Sequence, residues 1–496
     1  MTNSGGQSKG LPTATAGTLP VSEPASPGNE EPKSRQQTPA RTAPKKRRKK
    51  KASPEQLIRW GIWAYFLLVI FEGALRKWIL PGLATPLLVV RDPIALVTLY
   101  LAAKRGLLPF NVYVISAVTI GCLGLLTAIT VGHRSPFVAA FGARILVLHV
   151  PMAFVIGRSL SRNDLLRIGR VVIVIAIPMT VLMVMQYFSP QSAWVNRGVG
   201  GDMEGAGFSG AMGYARPPGT FSFTNGLTLF YGLAGVWIVY FWLTPGKCNR
   251  LLLLFATGGL ILAIPLSISR GLLFQTCVTG MFAMVVIARK PKYLTKVMGA
   301  GIAIAVALAA VSWTPAFQTG LTVFAKRFET AAESEGGLEG TLGDRFLGGL
   351  IGAVFNATDL PIFGHGIGLG TNVGAKYTTG RRTFIIAEGE WGREVGELGP
   401  LLGLPLIFVR VLMASHFLWL GYQRLTRGDP LTWTLLGLGF LVIAQGAWAQ
   451  PTDLGFYTLI TGLVIAALRT SSKPTAAKRK SRRPPSPSIA GLGSVS

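Results

Sequence analysis

Glu388 and Glu390 stand just ahead of an expected helix in the stretch EGEWGREVGELG, with Arg393, Glu394 and Glu397 close behind. A carboxylate in that position can accept a proton from an attacking hydroxyl, provided burial raises its pKa toward neutrality. Residue type alone fits equally a solvated acidic stretch, or acids favoured by the dipole at a helix N-terminus. Arg144 and Arg270 point to a different chemistry. Both lie in or at the edge of long apolar runs, with no acid close to either in sequence. A guanidinium stays charged in such a place and offers forked donors, which suits a phosphate or another oxyanion. Arg216, in the stretch RPPGTF, is placed with them. Glu72 and Arg76 are i,i+4 partners, and Arg91 and Asp92 are neighbours; both read as ion pairs lining a cavity. No cluster has metal-ligand spacing, so neither a metal nor another cofactor is expected.

These groups need elements to hold them, and composition says which. Half of the 496 residues are hydrophobic and 14% are charged, against about 25% charged in a typical soluble domain. Apolar stretches of about 20 residues, enough to cross a ~30 Å hydrocarbon layer, recur from Leu57 to Leu468. With no water there to satisfy the backbone, they must be helices. The expected fold is all-α, a polytopic transmembrane bundle of about twelve spans. The spans are 58–78, 86–103, 110–131, 137–157, 168–188, 219–243, 250–267, 271–288, 296–314, 395–420, 432–449 and 453–468.

Alternate loops fix an orientation. Lys104, Arg105, Arg158, Arg162, Arg167, Lys247, Arg289 and Arg424 all fall on the side of the two tails, which the positive-inside rule makes cytoplasmic. Glu72, Arg76, Arg91, Asp92, Arg144 and Arg270 then share the outer half of the membrane, with His149 deeper, as if around an outward-facing chamber. Each costs ~2.5–3.5 kcal/mol at such depth even on insertion scales.

Within the block 57–314, residues 189–218 form a Gly-rich outer loop, and residues 315–394 form a second, long and partly helical, ahead of the last spans in 395–468. Loops of that length usually have a function. Phe317, Leu321, Phe324 and Phe328 recur at helical spacing, as in an amphipathic helix on the membrane surface. A second helix is expected from Thr341 and Asp344 through Leu350 and Val354, and Gly364, Gly366, Gly368 and Gly370 then read as a flexible turn.

Residues 1–56 and 469–496 are expected to be disordered basic tails; residues 1–51 and 469–496 together carry 15 of the 28 net positive charges. Charge concentrated there, rather than over a folded surface, argues against nucleic acid. The run Lys45–Lys51 suits anionic membrane lipid at ~1 kcal/mol per charge. The first 50 residues lack the apolar core of a signal peptide. Cys122, Cys248 and Cys277 offer no disulfide framework. No P-loop, HExxH or Gly-x-Ser-x-Gly element occurs, and GHGIGLG has no βαβ context that would make it a dinucleotide loop.

Three stretches together resemble the O-antigen ligase and O-antigen polymerase superfamily. SISRGL resembles its Ser-Arg-Gly signature at the outer start of a span. DRFLGGLIGAVFNATDLPIFGHGIG resembles its loop pattern of an Arg, an amphipathic helix and Pro-x-x-Gly-x-Gly. EGEWGREVGELGPLLGLPLIF resembles its closing motif. They run in order over roughly residues 220–410, and FEGALRKWILP with RDPI is similar to an exopolysaccharide-related branch.

The resemblance implies a metal-independent, inverting glycosyltransferase of the bacterial inner membrane, with both termini cytoplasmic. Its partners would be a polyprenyl-diphosphate-linked glycan, an acceptor glycan or lipid, and other polysaccharide-assembly proteins, with polymerase ahead of ligase. It assigns Arg270 and Arg345 to the diphosphate. Counting back from Glu397, the family's His falls on Glu388, so acceptor activation passes to a carboxylate, with Glu390 its near competitor. A secondary transporter and a non-catalytic assembly partner remain as the other readings.

Overall fold

The computed structural model describes residues 53–205, 207–289, 294–335, 348–380, 386–387 and 389–470. Most of both expected tails, the helix start at Thr341 and Asp344, and two expected site residues, Arg345 and Glu388, lie outside that set. The α-helices, in order, are α1 (Pro54–Ala74), α2 (Arg91–Ala103), α3 (Val112–Thr130), α4 (Pro136–Arg144), α5 (Val150–Ser159), α6 (Arg162–Phe188), α7 (Thr224–Leu243) and α8 (Arg250–Leu266). Then come α9 (Arg270–Arg289), α10 (Leu294–Ser312), α11 (Pro315–Glu335), α12 (Gly349–Phe355), α13 (Asn372–Thr379), α14 (Glu390–Thr426), α15 (Leu431–Gln445) and α16 (Pro451–Arg469). A short antiparallel hairpin, β1 (Ser209–Ala211) and β2 (Tyr214–Ala215), stands within the Gly-rich segment.

Local signals start these helices. Ser53 and Gln56 form a reciprocal capping box ahead of α1, and Ser161 and Asp164 do the same for α6. Asn111 caps α3, and Ser135 caps α4. Among the described residues, nine helical segments are long and apolar enough to cross a membrane, or ten if α10 and α11 count as one span bent by 93°. The chain is therefore an all-α, multi-pass membrane bundle. The three other expected spans are helical too. Two of them, α8 and α15, have only 17 and 15 residues, and at ~1.5 Å per residue neither matches a ~30 Å hydrocarbon core. The third is α10, which turns sharply into α11.

The centre of the bundle is α7, almost all of whose side chains are buried, whereas α9 buries only Leu272, Thr279 and Val286 among its described residues. Beside it α5 and α16 cross closely through Gly157 and Gly462, where a Cβ on Gly157 would lie 2.4 Å from Ile465. One end of the bundle is tied by basic groups. Arg162 pairs with Asp429 and donates to Thr470 O at 3.0 Å, while Arg469 donates to Gly157 O at 3.2 Å. Lys104, Arg105, Arg158 and Arg427 belong to this basic end.

Helix irregularities gather toward the opposite end. Wide π turns occupy Leu75–Ile79 and Ile145–His149. In α14, Gly399 has φ 69° and ψ 174°, so a first arm, 390–398, breaks from the longer arm that begins at Pro400. Such interruptions survive at membrane depth where protein groups re-satisfy the freed backbone. At the Gly399 break that condition is met by the loop after Pro361, whose amides donate to Gly396 O and Glu397 O and whose Ile362 O accepts from Leu401 N.

The glycine run after Pro361 differs from the expected flexible turn. Gly364, Gly366 and Gly368 all have positive φ, at 66°, 105° and 94°. A Cβ on Gly364 would lie 2.4 Å from Gly399 N, and one on Gly368 would lie 2.2 Å from Val138 O. His365 N donates to Gly396 O and Gly366 N to Glu397 O, both at 2.9 Å. His133 Nε2 donates to Ile367 O at 3.1 Å. The glycines serve close packing, and the loop is a seated wedge between α3, α4 and α14. The segment expected as an amphipathic helix is helical as α11, and of its four spaced apolar residues Phe324 is buried, Phe317 and Phe328 are half-buried and Leu321 is exposed.

Candidate functional site

The end opposite the basic one holds a chain of buried charge assembled from five helices. It begins on α1. Glu72 meets Arg76, one turn on, at 3.4 Å, as the i,i+4 spacing predicts, and meets Arg91 of α2 at 3.0 Å. Arg76 also donates to Ser222 Oγ at 3.0 Å and Ala84 O at 2.8 Å. Lys77, fully buried, donates to Gly219 O at 2.6 Å and lies 4.4 Å from the Trp78 ring centre. The π turn at Leu75–Ile79 is what turns Arg76 and Lys77 inward together.

Arg91 and Asp92 do not pair with each other. Adjacent helical residues point to different faces, so Arg91 turns to Glu72 and the Pro451 carbonyl, while Asp92 turns to α4. There its carboxylate receives Arg144 at 3.0 and 3.1 Å. The acid missing near Arg144 in sequence is thus supplied from 52 residues away. Asp92 Oδ1 also lies 3.0 Å from His149 Nε2, and His149 Nδ1 lies 3.0 Å from the Tyr65 hydroxyl. An imidazole that donates to Asp92 from Nε2 and accepts from Tyr65 at Nδ1 satisfies these two contacts, while Arg144 Nη1, 3.4 Å from Nε2, directs its own donors to Asp92. Arg144 stacks 3.9 Å from the Phe141 ring centre.

The second half of the chain is on α14. Arg393 grips Glu390 with two bonds, at 2.7 and 3.0 Å, and meets Glu397 at 2.5 Å. Arg410, beyond the Gly399 break, pairs with Glu394 and stands 3.5 Å from Glu390. Arg410 further donates to Ile443 O and Gly446 O and lies over the Trp448 ring at 3.7 Å. Trp448 N donates in turn to Glu390 Oε1 at 2.9 Å. The connector between α15 and α16 is thereby held from one side by Arg91 and from the other by Arg410 and Glu390. Asp453, buried at the start of α16 beside Asn225, completes the set.

The arrangement is self-neutralising: Arg76, Lys77, Arg91, Arg144, Arg393 and Arg410 stand against Glu72, Asp92, Glu390, Glu394, Glu397 and Asp453. Its accessible part is a small cleft lined by Gly370, Asn372, Ala387, Glu390, Arg393 and Gln450, among others. There a carboxylate and a guanidinium face one space, next to the amide groups of Asn372 and Gln450. At about 20 Å³ the cleft admits one water-sized group, which such a set can orient and from which the carboxylate can accept a proton.

Arg216 and Arg270 occupy a separate corner. Arg216 follows β2, with its N–H on Phe208 O at 3.1 Å, and Arg270 opens α9. The hairpin packs on the turn before α9, since a Cβ on Gly210 would lie 2.8 Å from Ile268. Ser269 is tied to Thr228 of α7 at 3.0 Å. The two arginines thus come from adjoining segments.

Of the expected site residues, Glu390, Glu72, Arg76, Arg91, Asp92 and Arg144 are gathered in the chain of charge. Lys77, Arg410 and Asp453 join it without having been singled out. Their signal was present: a lone Arg in LIFVRVLM, or a Lys in LRKWIL, is expensive in an apolar span and so marks a buried partner. No protein-family model matches this chain, and no curated protein matches it either.

Proposed function

We propose that the chain transfers an oligosaccharide from polyprenyl diphosphate to an acceptor hydroxyl at the outer face of a bacterial inner membrane, as a glycan polymerase in preference to a ligase. The observation that carries the reading is the cleft in which Glu390 and Arg393 stand side by side. It lies at the end of the bundle away from Lys104, Arg105, Arg158 and Arg427, and the positive-inside rule makes that end periplasmic. The likeness of the Ser269–Gly271 stretch and of residues 388–408 to the O-antigen ligase and polymerase superfamily supports the same reading.

In this scheme the acceptor oxygen attacks the anomeric carbon from the face opposite the leaving group. The bond from that carbon to the diphosphate oxygen breaks with inversion, and the acceptor proton passes to a carboxylate, Glu390 or its neighbour Glu388. Arg216, Arg270 and Arg345 neutralise the departing diphosphate, where charge grows in the transition state. Arg144 is left out, because Asp92 already engages it.

The test is transfer by the full-length protein in nanodiscs, supplied with a polyprenyl-diphosphate oligosaccharide and an acceptor glycan. Mass spectrometry should show lengthened glycan and free polyprenyl diphosphate appearing together. Donor that crosses sealed proteoliposomes unchanged, with no product, would replace this reading with transport.

A further inference from the structure

A second cavity opens on the flank of the bundle, between α2 and α3 with α5 behind. Its walls include Leu96, Leu99, Tyr100, Leu108, Val114 and Val118, and none of its lining residues is charged. From Leu96 to Ala103 the helix advances about 10 Å at ~1.5 Å per residue, so the groove runs along the helices.

One mouth of the groove has a different character. The turn after α2 carries Lys104 and Arg105, both exposed, and Lys104 Nζ lies 4.5 Å from the Tyr100 ring centre. Arg158 reaches the same mouth from the end of α5, where its Nη1 donates to Leu108 O at 2.9 Å. A guanidinium has five N–H groups, and the bonds to Leu107 and Leu108 engage Nη1 alone. No Asp or Glu occurs between Asp92 and Asp164, so the segments that build the groove bring no acid to balance these three cations.

We propose that the groove holds an acyl chain of an anionic phospholipid whose phosphate lies on Lys104, Arg105 and Arg158. The apolar walls fit a hydrocarbon chain. The three cations at one mouth fit a phosphodiester, and Tyr100 stands at the polar–apolar boundary, where aromatic side chains gather. A zwitterionic lipid would bring its own ammonium to this cationic mouth and lose most of the advantage. The groove is independent of the Glu390–Arg393 cleft, which lies at the other end of the bundle.

Native mass spectrometry of the full-length protein, titrated with phosphatidylglycerol or phosphatidylcholine of matched chains, tests it. One phosphatidylglycerol per chain should be retained about tenfold or more tightly than phosphatidylcholine, as expected for two or three cations near a headgroup. Lys104→Ala/Arg105→Ala, at exposed positions, should erase that preference. Val118→Trp, which fills the groove, should weaken both lipids, with the thermal midpoint of each variant checked against wild type. Equal retention of the two lipids overturns the proposal, as does phosphatidylglycerol binding unchanged in both variants. Displacement of phosphatidylglycerol by a lower concentration of polyprenyl phosphate gives the groove to an isoprenoid and overturns it too.

Discussion

Glu397 and Gly370, 27 residues apart, meet at 2.7 Å, with the glycine N–H donating to Oε1 while Arg393 holds Oε2. One carboxylate thus fastens the glycine wedge to the first arm of α14. Removing it leaves a buried arginine short of a partner and a loop amide unmet, for which ~3–5 kcal/mol is the usual cost of breaking a buried pair from one side. Glu397→Ala should lower the thermal midpoint strongly, and Glu397→Gln less, because its amide oxygen still accepts from Gly370. Equal midpoints for Glu397→Ala and wild type would remove the fastening role.

The wedge gives a second, local prediction. Gly368→Ala combines a positive φ of 94° with a Cβ 2.2 Å from Val138 O, so the loop must leave its seat. Gly380→Ala also has positive φ, 72°, but meets nothing within 4 Å and should cost only about 1–2 kcal/mol. Limited proteolysis after residue 360 should cut Gly368→Ala readily and Gly380→Ala at close to the wild-type rate. Similar cutting of the two variants would mean that φ, not packing, governs the loop.

How much of this was legible follows from where partners lie. Glu72 and Arg76 share a helix face, so spacing alone pairs them. Arg91 and Asp92 were read as a pair because they are adjacent, yet adjacency on a helix separates them, and their partners depend on how α1, α2 and α4 pack. Arg144 looked unpartnered for the same reason: Asp92 is near only after folding. The glycines were visible, but their service as a packed wedge depends on Val138, Gly142 and Gly399, which no local pattern reveals. Apolar runs place α8 to within a residue, but at α14 the helix reaches past the apolar run 395–420 to Glu390 and Thr426, and at α15 the run to 449 outlasts a helix that ends at Gln445.

Arg410 and Glu394 stand on opposite sides of the Gly399 break. Arg410→Met and Glu394→Leu should each destabilise by ~3–5 kcal/mol, since each strands a buried charge. The double variant should lose much less than the sum, because it removes both charges together. Unfolding of the four proteins in matched detergent measures the coupling. Additive losses would mean that the pair contributes little and that Trp448 and the Gly446 carbonyl hold Arg410 in place.

Orientation is tested by accessibility. In a variant freed of Cys122, Cys248 and Cys277, a cysteine at the exposed Lys376 should react with an impermeant thiol reagent in intact spheroplasts. A cysteine at the exposed Arg105 should react only after lysis. The opposite labelling pattern would turn the bundle over and take the proposed outer-face chemistry with it.

The last prediction concerns which carboxylate serves the acceptor. Glu390 lines the cleft but is bound by Arg393 and by Trp448 N, so Glu390→Gln removes a structural partner and a candidate base at once. The two roles separate in the readouts. If Glu390 is the base, Glu390→Gln should cut transfer by ~10²–10⁴, with donor binding unchanged and with loss of the fall in rate toward acid pH that protonating a base produces. If Glu390 only braces Arg393, the same variant should lower the thermal midpoint and weaken donor binding, but keep the acid limb of the pH profile. Glu388→Gln, measured beside it, completes the assignment: severe loss of product there, with Glu390→Gln retaining the acid limb, moves the base by two residues. Full transfer and an unchanged pH profile in both variants would leave this cleft without acid–base chemistry, and the acceptor would then be activated elsewhere.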